Sequence, residues 1–217
     1  PITIVCSKMG WIRALKGHQL DLGELKYKEG DEARFILKGY TTDKLILFAT
    51  DGRFYTIGCD KLPGGKGHGE PVRIKIDMDQ TVDICELHMH QPGLKLLVAS
   101  SEGKGFVVAE DEVIAQTKSG KQVLNLPEGA KAVASAKVDG DHVAVVGTNR
   151  KLLLFPLTEV PEMRKGQGVR LQKYNEAKLS DVKVFKLSEG LSWPLGDRVR
   201  IRVLAREGLL LSKLAIP

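Results

Sequence analysis

Short apolar runs along this chain end in a small residue, reverse over two or three polar residues, and return as a second apolar run. The outgoing runs are Thr3 to Ser7, Leu45 to Ala49, Leu96 to Ser100, Val143 to Gly147 and Ile201 to Ala205, with reversals centred on Gly10, Gly52, Gly103, Arg150 and Gly208. Three positions before each centre stands a small residue (Ser7, Ala49, Ser100, Gly147, Ala205), and five before it an apolar one (Val5, Leu47, Val98, Val145, Val203). Asp51-Gly52, Glu102-Gly103 and Asp139-Gly140 are tight-turn dipeptides in which glycine can take the positive φ a hairpin needs. A third run follows each of the first four hairpins, at Ala33 to Leu37, Ile84 to Leu87, Val133 to Val138 and Val182 to Leu187. Its period-two alternation predicts a half-buried strand. Helix signals are nearly absent.

The reversals recur at intervals of about 40 to 60 residues, near the repeat of a four-stranded propeller blade. The predicted fold is therefore all-β, a propeller-like array of five small antiparallel four-stranded sheets in a single domain over 1–217. Its units run 1–43, 44–94, 95–141, 142–196 and 197–217, the last a partial or closing blade. Residues Lys186 to Arg198, with Glu189-Gly190 and Trp193-Pro194-Leu195-Gly196, read as an irregular excursion between the fourth and fifth units. One small sheet cannot bury both faces alone, so units must pack side by side, and the recurrent small residue is expected to allow close approach of neighbours.

Composition narrows the function classes. Among 217 residues, Lys and Arg number 33 against 27 Asp and Glu, a formal charge of +6 that favours a polyanionic partner. Cys6, Cys59 and Cys85 are odd in number and lack CxxC spacing, which predicts buried free thiols in a reducing cytosol. There is no apolar run of about eighteen residues and no charged-apolar-small leader, so the expected protein is soluble, unexported and not membrane-bound. Because the chain starts with proline, it is expected to be a piece of a longer polypeptide.

The basic residues gather in glycine-containing connectors. The second unit carries Lys61-Leu62-Pro63-Gly64-Gly65-Lys66-Gly67-His68-Gly69, the fourth Met163-Arg164-Lys165-Gly166-Gln167-Gly168-Val169-Arg170, and the third a shorter Lys118-Ser119-Gly120-Lys121-Gln122. Glycine lets a backbone approach a phosphate and expose its N–H groups while Lys and Arg neutralise charge. The alternative is a solvated loop that needs glycine only for its turns. Recurrence at equivalent places favours binding.

At these residues the sequence resembles, over essentially its whole length, the C-terminal domain of the A subunit of bacterial type IIA topoisomerases. The resemblance is carried by Leu45-Ile46-Leu47-Phe48-Ala49-Thr50-Asp51-Gly52-Arg53, by Lys151-Leu152-Leu153-Leu154-Phe155-Pro156-Leu157, and by Glu159 to Val169. It implies a β-pinwheel whose outer rim binds and bends duplex DNA. The gyrase branch carries a glutamine, a basic pair, two glycines, a basic residue and glycine in its first unit. Here that connector reads Lys16-Gly17-His18-Gln19-Leu20-Asp21-Leu22-Gly23, with degraded relatives of the box at Pro63 to Gly69 and Arg164 to Gly168. The pattern resembles the topoisomerase IV branch, without the first-unit box that makes tight wrapping possible in gyrase. The resemblance implies an accessory domain that presents DNA to a cleavage core elsewhere in the polypeptide, for decatenation or relaxation. Its implied partners are duplex DNA, the rest of the A subunit, and the B subunit. A bacterial cytoplasmic, nucleoid-associated location follows from it. Family cleavage uses a tyrosine preceded by arginine, and none of Tyr27, Tyr40, Tyr55 and Tyr174 has that neighbour, so this chain is expected neither to cleave DNA nor to hydrolyse ATP.

The candidate DNA contacts are Lys66 and His68 in the second connector, Arg164, Lys165 and Arg170 in the fourth, and Arg53, Lys104, Lys151 and Lys121 beside the turns. Other chemistry is weaker. None of Gly65-Lys66, Gly103-Lys104 and Gly120-Lys121 is followed by a hydroxyl residue, which excludes a P-loop, and no cofactor is expected. His88 and His90 share a strand face near Asp83 and Glu86 but lack a third ligand of metal-site spacing, and the preferred reading is surface polarity. Asp77 and Asp79 read as turn residues, and Trp11 and Phe54 as packing between units rather than stacking on bases. A protein-interaction module is the alternative function. An enzyme ranks below it, since the repeats supply no recurring inward acid, base or nucleophile.

Overall fold

The computed structural model describes residues 1–19, 21–195, 199–203 and 214–215. Its strands are β1 (Ile2–Ser7), β2 (Trp11–Lys16), β3 (Ala33–Gly39), β4 (Lys44–Ala49), β5 (Arg53–Gly58), β6 (Glu70–Pro71), β7 (Ile84–Met89), β8 (Lys95–Ser100) and β9 (Lys104–Ala109). There follow β10 (Lys121–Gln122), β11 (Ala132–Lys137), β12 (His142–Gly147), β13 (Lys151–Pro156), β14 (Val169–Arg170), β15 (Leu179–Phe185), β16 (Leu191–Leu195), β17 (Val199–Val203) and β18 (Leu214–Ala215). Among the described residues the one α-helical stretch is the single turn α1 (Glu110–Val113).

The strands form four antiparallel four-stranded sheets, ordered β3-β1-β2-β6, β10-β5-β4-β7, β11-β8-β9-β14 and β15-β12-β13-β18, and a two-stranded β16-β17. Each four-stranded sheet follows one rule. A hairpin supplies its two central strands, and the next strand of more than two residues (β3, β7, β11 or β15) pairs with the first of them. The fourth strand arrives from the connector that follows the next hairpin. The chain divides into two compact units, Pro1–Pro92 with Val113–Gln122, and Gly93–Glu112 with Val123–Pro217. Residues Val113–Gln122 fall in the first unit because β10 completes the sheet of β4 and β5.

The outgoing strands are closed on both faces. Every position of β1 is buried, and so is every position of β4 and β8 after the first lysine. In the first unit Ile4, Ile12, Leu45, Leu47, Tyr55, Val72, Ile84 and Leu87 form one apolar cluster joining its two sheets. In the second, Leu97, Ala99, Val143, Val145, Val182 and Val184 do the same. Fully burying such a side chain stabilises by about 1.5–3 kcal/mol. Phe48 stacks on Phe54 across the β4–β5 pair at 4.6 Å between ring centroids.

The recurrent small residue has a local reason. Ser7, Ala49, Ser100 and Gly147 each sit where the pairing with the third strand slips, so that Arg34, Cys85, Val133 and Ser180 are left over as bulged residues. Each of the four carbonyls also accepts the hydrogen bond that closes the hairpin, from the N–H of Gly10, Gly52, Gly103 and Arg150 at 2.9–3.1 Å. All four donors have positive φ, and Arg150 at 60° is the one non-glycine in that region among the described residues.

The fifth hairpin departs from the expectation of an outgoing strand at Ile201 to Ala205 preceded by an irregular Lys186 to Arg198. The structure instead pairs β16 with β17, Leu191 opposite Val203 through Leu195 opposite Val199. Ile201 therefore lies on the returning strand, and Ala205 and Gly208 lie outside the described residues. Pro194 misleads because proline normally ends a strand, but it is tolerated where its missing N–H is not needed by a second neighbour. The corrected position restores the chain order, since β18 then follows its hairpin as β6, β10 and β14 follow theirs.

Each donated strand in the first three sheets is preceded by a glycine with positive φ: Gly69 at 84°, Gly120 at 74° and Gly168 at 81°. A Cβ on any of them would collide with the carbonyl oxygen of the second residue of the receiving strand, Ile12, Phe54 or Gly105 respectively. Gly129, with φ 80°, has nothing within 4 Å of the same position. Alanine at Gly129 should cost only its backbone penalty, about 1 kcal/mol, whereas alanine at Gly168 adds overpacking against backbone of about 1–3 kcal/mol. Urea unfolding of G129A and G168A measures the difference, and equal losses would contradict the close approach.

Candidate nucleic-acid interface

In the first unit, the second connector leaves β5 through a single 3-10 turn at Cys59–Lys61 and runs back along β2. The N–H of Ala14 donates to the carbonyl of Pro63 at 2.8 Å, and Gly64 bridges Ala14 in parallel. Gly65 packs against Leu15 and Gly69 against Ile12, while Gly64 and Gly67 face open space. The glycines thus serve two needs, close packing on the neighbouring hairpin and an open loop crest. On either side of Gly67 the crest presents Lys66 and His68, both exposed.

Arg13 holds this crest from below. It is 4% exposed, donates to the carbonyl of Gly67, donates to that of Lys26 at 2.8 Å, and lies 5.4 Å from the centroid of the Tyr27 ring. His68 also acts electrostatically on Asp31. Burial raises the Asp31 carboxyl, but hydrogen bonds from Ser7, Met9 and Glu32, helped by the His68 charge, outweigh it and the net shift is downward. Elsewhere in the unit Arg53 is engaged by its own protein: its guanidinium donates to the Ser119 carbonyl at 2.8 and 3.0 Å and to that of Gly120 at 3.3 Å. Lys121 is exposed on β10, opposite Phe54.

In the second unit, the fourth connector lies along β9 in the same manner. Val107 donates to the Pro161 carbonyl at 3.0 Å, and Met163 donates to that of Val107 at 2.8 Å. Beyond it Gly166 exchanges bonds with Val123 and Asn125 at 3.0 and 2.8 Å. Arg164 is 85% exposed at the side chain, its Nε 3.7 Å from a Glu112 carboxylate oxygen, and Lys165 beside it is exposed. The ladder of β14 on β9 sets Arg170 directly opposite Lys104. Lys151 is exposed and opposite Ala215. Thus the structure brings together Lys66 with His68, Arg164 with Lys165, and Lys104 with Arg170, and sets Arg53 against the third unit's connector.

The remaining expectations resolve in physical terms. His88 is not surface polarity: it is 7% exposed on β7. Among the described residues no group of three or more His, Cys, Asp or Glu side chains could hold a metal. Phe54 is fully buried and stacks on Phe48 of its own hairpin, and Trp11 carries the Lys28 ammonium 3.6 Å from its ring centroid. Asp79 accepts from the N–H and hydroxyl of Thr81 at 2.8 and 2.7 Å, which hold its carboxyl below the usual range and identify a turn residue.

Two charged residues carry no sequence signal that marks them as structural anchors. Arg13 shows itself only as a cation interrupting Trp11-Ile12-Arg13-Ala14-Leu15. Glu110 is 0% exposed, and each of its carboxylate oxygens accepts a hydrogen bond from Lys137, at 2.8 and 2.9 Å, a pairing between α1 and the end of β11 that no local pattern announces.

Known proteins share this architecture. The family model described as DNA gyrase C-terminal domain, beta-propeller, matches residues 94–139 and 141–187. The A subunit of DNA topoisomerase 4 from Rickettsia bellii is 53% identical over 201 residues, covering 93% of this chain and 27% of that protein. Its counterpart from Caulobacter vibrioides is 49% identical over 89% of this chain and 25% of its own length. The solved E. coli ParC C-terminal domain superposes with a TM-score of 0.80 at 27% identity, covering 96% of this chain and 94% of that one. The chain belongs to the C-terminal-domain family of bacterial type IIA topoisomerase A subunits. Within it the similarity lies on the topoisomerase IV side, and the chain spans about a quarter of the length of the curated relatives it matches.

All three cysteines are free thiols, Cys6 and Cys59 buried and Cys85 half-buried, and burial pushes each from 9.0 up to about 12. A thiol whose pKa is higher folded than unfolded favours the folded state below pH 9, and that contribution is lost as pH climbs towards 12. The Tm should therefore fall steadily over this alkaline window, and less steeply in C59A. Native Cys6 and Cys59 should meanwhile resist iodoacetamide at pH 8 until the chain unfolds. Fast alkylation of the native protein would contradict their burial.

Proposed function

We propose that this chain is the accessory DNA-binding domain of a topoisomerase IV A subunit. It binds and bends duplex DNA on a basic outer rim and presents a segment to the catalytic core for decatenation or relaxation. The observation that carries the reading is the repeated use of one structural element. The connectors that complete a preceding sheet through β6, β10 and β14 are the same segments that expose Lys66 and His68, Lys121, and Arg164, Lys165 and Arg170. Such loops ride on paired backbone, so their cations are held without the ordering cost of a free loop.

The mechanism is electrostatic. Lys and Arg displace counterions from backbone phosphates, which gives affinity with little base selectivity. Bending a short site costs on the order of 1–6 kcal/mol, which several neutralised phosphates can offset. His68 contributes mainly when protonated. DNA cleavage belongs to the remainder of the A subunit, and ATP hydrolysis to the B subunit, in the bacterial cytoplasm with the nucleoid. The relatives' name and the absence of an Arg-Tyr pair among Tyr27, Tyr40, Tyr55 and Tyr174 support that division.

Duplex affinity measured against salt tests the proposal: about six to ten phosphate contacts give a log–log slope near −0.9 per contact. A flat slope would remove it in favour of a polypeptide-binding module. R164E with K165E should weaken binding to every duplex sequence alike and reduce the magnitude of the slope by about 2. Unchanged affinity would place the contacts elsewhere.

A further inference from the structure

The ladder of β14 on β9 leaves two cations, Lys104 and Arg170, as direct cross-strand partners. Like charges so placed are destabilising by themselves, and an anion held between them relieves the repulsion. Lys173, three residues on, joins them on the lining of a cleft of about 440 Å³ in the second unit. Asn125, Gln167 and Tyr174 add polar groups to its wall, and Glu102 and Glu128 stand there as well.

The cleft is built on held backbone. The N–H groups of Leu171 and Gln172 both donate to the Gly103 carbonyl, at 2.7 and 3.3 Å, which fixes the stretch leading to Lys173. Gln172 is 5% exposed, and its side chain accepts from the Tyr174 hydroxyl at 3.1 Å. The Tyr174 ring is wedged against two hairpins: a Cβ on Gly103 would meet the ring at 3.0 Å and one on Gly147 at 2.5 Å. Burial pushes the Tyr174 phenol up to about 12, so it stays neutral beside the three cations.

Resting on the DNA-binding reading, we infer that the Lys104–Arg170–Lys173 cleft is the seat for consecutive phosphodiesters of one duplex strand. The planar fork of Arg170 suits bidentate grip of a phosphate, and the two ammonium groups can meet its neighbours. No equivalent seat forms where the corresponding cross-strand pairs are Trp11 with Pro71 or Arg53 with Gln122. In the first pair neither residue is charged, and in the second the guanidinium already bonds Ser119 and Gly120. The carboxylates of Glu102 and Glu128 repel an anion that enters off register, and they lower affinity in exchange for orientation.

The test uses the 217-residue chain. Binding of a blunt duplex is measured against salt for the parent, for K104Q/R170Q/K173Q, for E102Q, and for K186Q as an exposed control. The triple variant should lose about 2 to 3 units of slope, and K186Q should keep the parent slope. E102Q should bind about three- to fivefold tighter, a gain that misfolding cannot imitate. Lysine acetylation read by mass spectrometry should show Lys104 and Lys173 protected by duplex. A parent slope retained by the triple variant, with unprotected lysines, would overturn the cleft while leaving DNA binding intact. A flat slope in the parent would overturn both. Protection by inorganic phosphate equal to that by duplex would make the cleft a small-anion site and overturn the duplex assignment.

Discussion

A two-residue strand has too few hydrogen bonds to exist alone, so β6, β10, β14 and β18 form only where a hairpin edge is already waiting. This dependence makes each sheet incomplete until the next hairpin has been made and its connector has crossed back. The crossing is close: the connector backbone passes against the receiving strand so tightly that Gly69, Gly120 and Gly168 leave no room for a Cβ over Ile12, Phe54 and Gly105. Stability of neighbouring sheets is thereby coupled through backbone contact, in addition to the shared apolar clusters within each unit. A repeat protein built this way propagates order along the chain, each module supplying what its predecessor lacks.

The same connectors carry the cations, which ties charge presentation to folding. A lysine at a loop crest normally loses conformational freedom when it binds. Here the crest itself is pinned by the Ala14–Pro63 and Val107–Pro161 bonds, and in the first unit by Arg13 beneath Gly67. Charge is not used uniformly along the repeats. At the first residue of the returning strand the chain places Trp11, Arg53, Lys104 and Lys151. These four have different fates: Trp11 is capped by Lys28, Arg53 is bonded to the third unit's connector, Lys104 faces another cation, and Lys151 is exposed. Sequence equivalence of position therefore does not imply equivalence of role.

Much of the fold is legible in the residues. The first four hairpins, their turn centres and the strands that follow them are local patterns, set by turn residues and apolar positions a few places apart in the chain. The fifth hairpin reads one strand too late because Pro194 and Gly196 look like loop chemistry, and only pairing of β16 with β17 reveals Leu191–Leu195 as a strand. The donated strands are invisible as such, two residues being too short for any period to register. The glycines around Lys66 and Arg164 suggest phosphate access, yet Gly65, Gly69 and Gly168 answer to packing and Gly64 and Gly67 to openness.

What the sequence determined by itself was periodic: where the chain reverses, which strands alternate apolar and polar positions, which segments gather basic residues, and the family to which these patterns point. Those properties depend on neighbours a few positions apart. Tertiary structure alone decided which cation meets which partner, because Lys104 and Arg170, Arg53 and Ser119, Arg13 and Gly67, and Glu110 and Lys137 are brought together across long stretches of intervening chain. Those pairings exist only after the connectors have crossed to their receiving strands, and register in that crossing, rather than composition, sets the chemistry of the surface.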